Sequence, residues 1–223
     1  MSINRPKRLW IIDPSMAVAE TQGIAEVVGE WAGEHRVFQP ALCPGDGPRP
    51  GDGYDTDGVV LLGSRASVFD RLGWLTELGD WIAPIVAGRV RLPLLGICFG
   101  HQLIAHVAGA RVAPLSDDGA KRVGVETSIL EGSRLVPGRV EIPVVVSHRE
   151  IVRACPERFQ VVARRQSVPI DGIEHDELPV FAFQFHPEAR DEFAVRVGIE
   201  PRRIDDRLRV ANRRLLAAFR DRV

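Results

Sequence analysis

Residues 94–102 read Leu-Leu-Gly-Ile-Cys-Phe-Gly-His-Gln, and the architecture of the chain can be worked out from them. The apolar run Leu92 to Ile97 suits a strand covered on both faces. Helical spacing begins at Phe99 and lasts to Ala108. A buried strand that gives way at once to a helix is the βα step of a parallel sheet. Gly96 and Gly100 stand two residues either side of Cys98, the cysteine counterpart of a G-x-S-x-G nucleophile elbow. The turn is tight, and glycine removes the Cβ that would collide with neighbouring backbone. Cys98 then sits at a helix N-terminus, where the macrodipole favours an anion. A thiol in that position ionises more readily, and the thiolate is the nucleophilic form. The backbone N–H of Phe99 points to the same spot and suits a developing oxyanion. The plainer alternative is a buried cysteine at a glycine-rich strand end.

Upstream, strand and helix alternate. Leu9 to Ile12 is a short strand ending at Asp13-Pro14. Met16 to Trp31 has helical spacing, with Val18, Ile24, Val27, Val28 and Trp31 near one face. Arg36 to Phe38 reads as a second strand, and residues 43–58, rich in Gly, Pro and Asp, as a loop. Val59 to Leu62 is another buried strand, and Trp74 to Val86 another helix. This βαβα rhythm implies a parallel sheet with helices on its faces.

Downstream the rhythm changes. Segments 121–130, 140–147, 159–164 and 180–185 read as strands with no long helix between them, so they complete the sheet and add antiparallel hairpins. From about Asp205 the tail is helical. Leu208, Leu215, Leu216 and Phe219 share one face, and the arginines on the other read as solvated. The expected fold is α/β: a doubly wound, mostly parallel sheet with helices on both faces. A single domain covers 1–223, with a helical extension over about 189–223.

A second motif lies at residues 180–188, Val-Phe-Ala-Phe-Gln-Phe-His-Pro-Glu. An alternating aromatic strand ends at His186, because Pro187 cannot donate to a ladder. Strand ends are where open α/β sheets place ligands and chemistry. A thiol nucleophile needs an imidazole to take and return a proton. The imidazole needs an acceptor to fix its tautomer, and Glu188 stands two residues on.

Together, Gly-Ile-Cys-Phe-Gly-His-Gln and Phe-Gln-Phe-His-Pro-Glu resemble the class I, or triad, glutamine amidotransferases. The likeness is to the stand-alone type similar to the glutaminase domain of GMP synthase, and it spans about Trp10 to Glu188. It implies a flavodoxin-like sheet, with Cys98 as nucleophile, His186 as acid/base and Glu188 as its orienter. Glutamine would form a γ-glutamyl thioester on Cys98 and release ammonia. Gln102 matches a residue that helps hold the substrate, and Ser147-His148 match the segment that meets its α-amino and carboxylate groups. His148 also reads as an ordinary strand-end histidine. The family's usual Gly-Gly-Pro-x-Ser loop is here Gly63-Ser64-Arg65-Ala66-Ser67. Gly63 and Ser64 would supply the second oxyanion N–H beside that of Phe99. Serine tolerates positive φ poorly, which predicts a differently shaped loop. Arg65 is free either to meet a substrate carboxylate or to be solvated.

Composition narrows the field. The chain has 223 residues, 45% hydrophobic and 26% charged, with formal net charge −1. No bulk field draws it to nucleic acid or an anionic membrane. No apolar run reaches membrane-span length, and Leu9 to Ile12 is too short for a signal-peptide core. Cys43, Cys98 and Cys155 are too few and scattered for a disulfide framework, so a cytoplasmic setting is expected. No C-x-x-C pair or phosphate-loop pattern occurs, and His101 and His106 do not share a helix face well. Neither metal nor cofactor is expected. The partners expected are glutamine or a γ-glutamyl compound, and a separate synthetase chain that accepts ammonia. The alternatives are a stand-alone hydrolase of γ-glutamyl conjugates and a catalytically idle regulatory protein. An intact Cys, His and Glu set argues against the last.

Overall fold

The computed structural model describes residues 5–223; residues 1–4, included in the single domain expected over 1–223, lie outside them. In chain order the elements are β1 (Arg8–Ile12), α1 (Thr21–Val28), β2 (Glu34–Phe38), β3 (Gly58–Leu61), α2 (Gly73–Val86), β4 (Leu94–Ile97), α3 (Phe99–Val107) and β5 (Val112–Pro114). They continue with β6 (Arg122–Glu131), β7 (Arg139–His148), β8 (Glu150–Val152), β9 (Phe159–Arg165), β10 (Val168–His175), β11 (Val180–Phe183), α4 (Asp191–Val197) and α5 (Asp206–Arg220). A 3-10 turn, Pro201–Arg203, joins the last two helices.

Nine strands form one sheet in the order β2-β1-β3-β4-β11-β10-β9-β6-β7. The first five are parallel and the last four run antiparallel to their neighbours. β3, β4 and β11 are buried at every residue, as strands covered by helices on both sides must be. Alternation along β1 sorts the two cores. Trp10 and Ile12 pack with Leu78, Ile82, Leu103 and Ile104 of α2 and α3. Leu9 and Ile11 pack on the other face with Val27 of α1 and Leu215, Leu216 and Phe219 of α5. The doubly wound α/β expectation is met.

Several local expectations need correction. The helix read over Met16 to Trp31 is only Thr21–Val28. The buried Asp13 carboxylate accepts from the N–H groups of Ser15 and Glu20, so the intervening residues turn instead of coiling. Val18, placed on its apolar face, is 60% exposed, and Met16, its expected first residue, 44%. β10 is missing from the strands expected because its inward positions include Asp171 and Glu174, both fully buried. The short pair β5 and β8 forms a separate two-stranded sheet. The tail arginines are not all simply solvated: Arg220 is half-buried and donates to the carbonyls of Glu26 and Val27, and Arg213, though exposed, pairs with Glu26. Among the described residues no helix is long and apolar enough to cross a membrane.

Candidate active site

Cys98 is the N-cap of α3, with φ 53° and ψ −98°. A residue with a Cβ held at positive φ stores about 1–3 kcal/mol of strain. The glycines beside it explain how the bend closes. A Cβ on Gly100 would lie 2.3 Å from the Leu61 carbonyl oxygen, and one on Gly96 would lie 2.6 Å from the Gly100 oxygen. Strand β3, strand β4 and helix α3 therefore meet backbone to backbone under the cysteine. The Phe99 N–H belongs to the first helical turn, where no intrahelical acceptor exists.

His186 lies three residues past β11. Its N–H donates to Val145 O at 2.9 Å, forming a bridge to β7. Its Nδ1 lies 2.8 Å from Glu188 Oε1, and its Nε2 is buried with no hydrogen-bond partner among the described residues. The carboxylate accepts, so Nδ1 carries a proton. Phe193 of α4 packs against the imidazole at 4.4 Å between ring centroids.

The two side chains share one gap. A Cβ on Gly63 would lie 2.8 Å from His186 Cε1 and 3.6 Å from Cys98 Cβ. Glycine is needed there for space, not conformation, because neither Gly63 nor Ser64 adopts positive φ. Ser64 avoids the positive φ that serine tolerates poorly. Its hydroxyl instead braces the loop, donating to Pro14 O and accepting from the Ala66 N–H. Neither the Gly63 nor the Ser64 N–H has an acceptor among the described residues.

Electrostatics fit the geometry. Burial by itself would lower the His186 pKa. Negative charge on Cys98 and on Glu188 outweighs it and holds the imidazolium up to about 10. Glu20, buried close by, is raised by burial and by Glu188, while its ion pair with Arg196 opposes the rise. Sequence reasoning passed over Glu20 and Arg196, which lie 176 residues apart.

Ser147 is beside the cysteine, with its carbonyl oxygen 3.9 Å from Cys98 Sγ. Gln102 and His148 have hydrogen bonds taken up within the protein. Gln102 commits its amide nitrogen to Glu150 O at 2.7 Å and to Gln184 Oε1 at 3.2 Å. Arg165 Nη2 lies 3.0 Å from His148 Nε2; a guanidinium only donates, so that nitrogen accepts and Nδ1 holds the proton. Burial first, then Arg165, lowers His148 to about 3. Arg165 also bonds Asp171 at 2.8 Å and Glu126 at 2.7 Å, and Ser128 donates to Asp171. This buried network fixes the end of β7. The side chain that does reach the sulfur is Gln184, whose Nε2 donates to Cys98 Sγ at 3.6 Å. Gln184 stands inside the second sequence motif, just past β11, but its residue type carries no sign of its aim.

A narrow cleft open to solvent is lined by Gly63, Ser64, Arg65, Ser147, His186 and Glu188. Ser15 to Val18, Glu20, Lys121 and residues of α4 complete it. Among the described residues no group of three or more His, Cys, Asp and Glu side chains is arranged to hold a metal ion.

A family model described as glutamine amidotransferase class-I matches residues 52–193. One subunit of the glutamine-hydrolyzing GMP synthase of Pyrococcus abyssi is 41% identical over 98 residues, 44% of this chain and 51% of that protein. The glutamine-hydrolyzing GMP synthase of Hahella chejuensis is 36% identical over 143 residues, 60% of this chain and 26% of that protein. The chain thus spans about half of the first relative and about a quarter of the second. Among solved structures, a glutamine amido transferase from Methylobacillus flagellatus superposes with a TM-score of 0.75 at 17% identity, covering 98% of this chain and 93% of that one. One from Thermotoga maritima gives 0.72 at 19% identity, covering 97% and 99%. At those identities the superpositions establish the fold alone.

Proposed function

The chain belongs to the class-I glutamine amidotransferases, and from that premise we propose that it cleaves the side-chain amide of glutamine through a γ-glutamyl thioester on Cys98. The observation that carries this is the gap at Gly63. It is flanked by the Cys98 side chain and by a histidine whose Nδ1 is tied to Glu188 and whose Nε2 is free. The sulfur attacks the amide carbon. The N–H groups of Phe99 and of Gly63 or Ser64 steady the oxygen as it gains charge. His186, protonated in the resting site, gives its Nε2 proton to the departing nitrogen, and ammonia leaves. Water then enters, passes a proton to His186, and releases glutamate from the sulfur. Glu188 holds the ring and steadies its charge. Ser147, beside the sulfur, is the substrate contact we retain. Gln102 and His148 act by shaping the site from behind. A cytosolic setting, where a lone thiol stays reduced, suits this chemistry.

Two relatives are named as single subunits of a GMP synthase, and the partner we propose is a separate chain that accepts the ammonia. Hydrolysis of γ-glutamyl conjugates by the same three residues is the second reading, favoured by Arg65 and Lys121, which line the cleft with no carboxylate in salt-bridge reach among the described residues. The test is ammonia release from glutamine. Cys98→Ala should lose it entirely while keeping the wild-type circular dichroism spectrum; wild-type turnover by that variant would end the proposal.

A further inference from the structure

Gln184 is fully buried just past β11. Its own N–H donates to Asp171 O at 2.8 Å, while the Cys98 N–H donates to Phe183 O at 2.8 Å. The pairing of β4 with β11 therefore fixes Cys98 and Gln184 as neighbours. A buried side-chain amide is costly unless its groups are bonded, and here each end has a partner. Oε1 accepts from Gln102 Nε2 at 3.2 Å, and Nε2 donates to Cys98 Sγ at 3.6 Å. Which end faces the sulfur is decided one side chain further back. The Glu150 carbonyl only accepts, so the Gln102 nitrogen turns to it, at 2.7 Å. That same nitrogen meets Gln184, which answers with its oxygen and so presents its nitrogen to Cys98. A half-turn of the Gln184 amide would set two NH2 groups against each other and an oxygen against the sulfur. His101, also buried on α3, does not compete for the amide, because neither of its ring nitrogens has a partner among the described residues.

This donor suits an ion better than a thiol. A neutral thiol is a weak acceptor, so a buried N–H aimed at one forfeits much of its hydrogen bond. A thiolate accepts more strongly, as ionised partners do. The Ser147 carbonyl oxygen, 3.9 Å from the sulfur, works the opposite way. It can accept from an S–H and has nothing to give a thiolate. Among the side chains of the described residues, Gln184 is the one whose amide donates to Cys98 Sγ.

We propose that Gln184 is the hydrogen-bond donor that holds the Cys98 thiolate, with its amide turned toward the sulfur by Gln102 and the Glu150 carbonyl. The role rests on the Cys98 chemistry proposed above. The thiol proton passes to His186 Nε2, and the charge left on sulfur keeps the Gln184 N–H. That bond weakens as sulfur joins the γ-carbonyl carbon. It re-forms when water has added to the thioester, the C–S bond breaks and the sulfur departs as thiolate. Gln184 itself gains and loses no proton.

The experiment titrates the ultraviolet absorbance of the Cys98 thiolate against pH in the full chain, with Cys98→Ala as the blank. His186, Glu188 behind it and Lys121 in the cleft also bear on that charge, and all three stay in every variant. Gln184→Met keeps the bulk and removes the donor. It should raise the midpoint by about one pH unit, a tenfold change in the equilibrium and the size of one hydrogen bond to a charged group. The acid limb of glutamine turnover should move with it. Gln184→Glu keeps the acceptor for Gln102 but faces the sulfur with an anionic oxygen. It should raise the midpoint further, and it carries the test if Gln184→Met does not fold. Gln102→Met, which leaves the Gln184 amide free to turn, should raise the midpoint less. An unmoved midpoint in that variant would remove Gln102 from the arrangement. Unmoved midpoints in the folded Gln184 variants, with glutamine still cleaved by the wild type, would overturn the Gln184 role alone. A wild type that cleaves no glutamine, whatever its midpoint, would overturn the proposed function and this role together.

Discussion

Cys98 and His186 reach the same gap by opposite means. Cys98 is held by contact: its bend closes only because Gly96 and Gly100 let β3, β4 and α3 touch backbone to backbone. His186 is held by hydrogen bonds beyond the end of its strand. Its own N–H reaches β7, its ring reaches Glu188, and the residues after it are tied down by Arg190. Arg190 donates to Pro187 O and Ala189 O and pairs with Glu26 of α1 at 2.7 Å, and Glu26 also holds Arg213 of α5. Steric closeness demands one residue type, so it leaves a local signature. Polar anchorage accepts any suitable partner from anywhere along the chain, so it leaves one only where the partner is near in sequence, as Glu188 is to His186.

The largest effect should come from breaking the base side of this pair. His186→Ala should lower kcat by at least ~10,000-fold, with Glu188→Gln one to two orders milder, because the orienter acts through the ring. Steady-state kinetics of the two variants check the ranking; Glu188→Gln proving the more damaging would reverse the roles. Cys98→Ala should also lower the His186 pKa from about 10, since charge on the sulfur helps hold it up. Imidazole NMR resonances would report that fall.

On the contact side, Gly100→Ala should destabilise the fold by about 3 kcal/mol in denaturant titration. The new Cβ meets a strand carbonyl that cannot move aside, and overpacking of that kind typically costs about 1–3 kcal/mol. A smaller loss, about 1–2 kcal/mol after allowance for solvent screening, is expected for Glu26→Gln at neutral pH. Bonds from Arg213, then Arg190, hold the Glu26 carboxyl down to about 2. With a folded pKa below the unfolded one, the contribution is complete above the unfolded value of 4.5 and disappears as pH falls through about 2. The difference between wild type and Glu26→Gln in thermal melts should therefore shrink on acidification; a constant difference would remove Glu26 from the anchor.

The same contrast explains which features are legible in the sequence. The parallel half of the sheet is legible because β3, β4 and β11 are unbroken apolar runs, and the elbow because glycine brackets Cys98. Glu188 is legible through nearness in sequence to His186. β10 is hidden by the buried charges Asp171 and Glu174, each neutralised or hydrogen-bonded by residues some 40 positions away or across a hairpin. α4 is seven residues long, with Val195 facing water and Phe193 turned onto the His186 ring; no periodicity announces so short a helix. Gln102 and His148 are legible as residue types but not in their aim. That depends on Gln184, just past β11, and on Arg165 of β9, which the fold brings in from distant stretches of chain.

The most direct measurement is intact-protein mass spectrometry after rapid acid quench with glutamine, followed by peptide mapping. A γ-glutamyl group on the Cys98 peptide, lost on longer incubation as glutamate and ammonia appear, is the expected result. Turnover of glutamine with the acyl group on another residue, or with none captured even in His186→Ala or Glu188→Gln, would contradict the account.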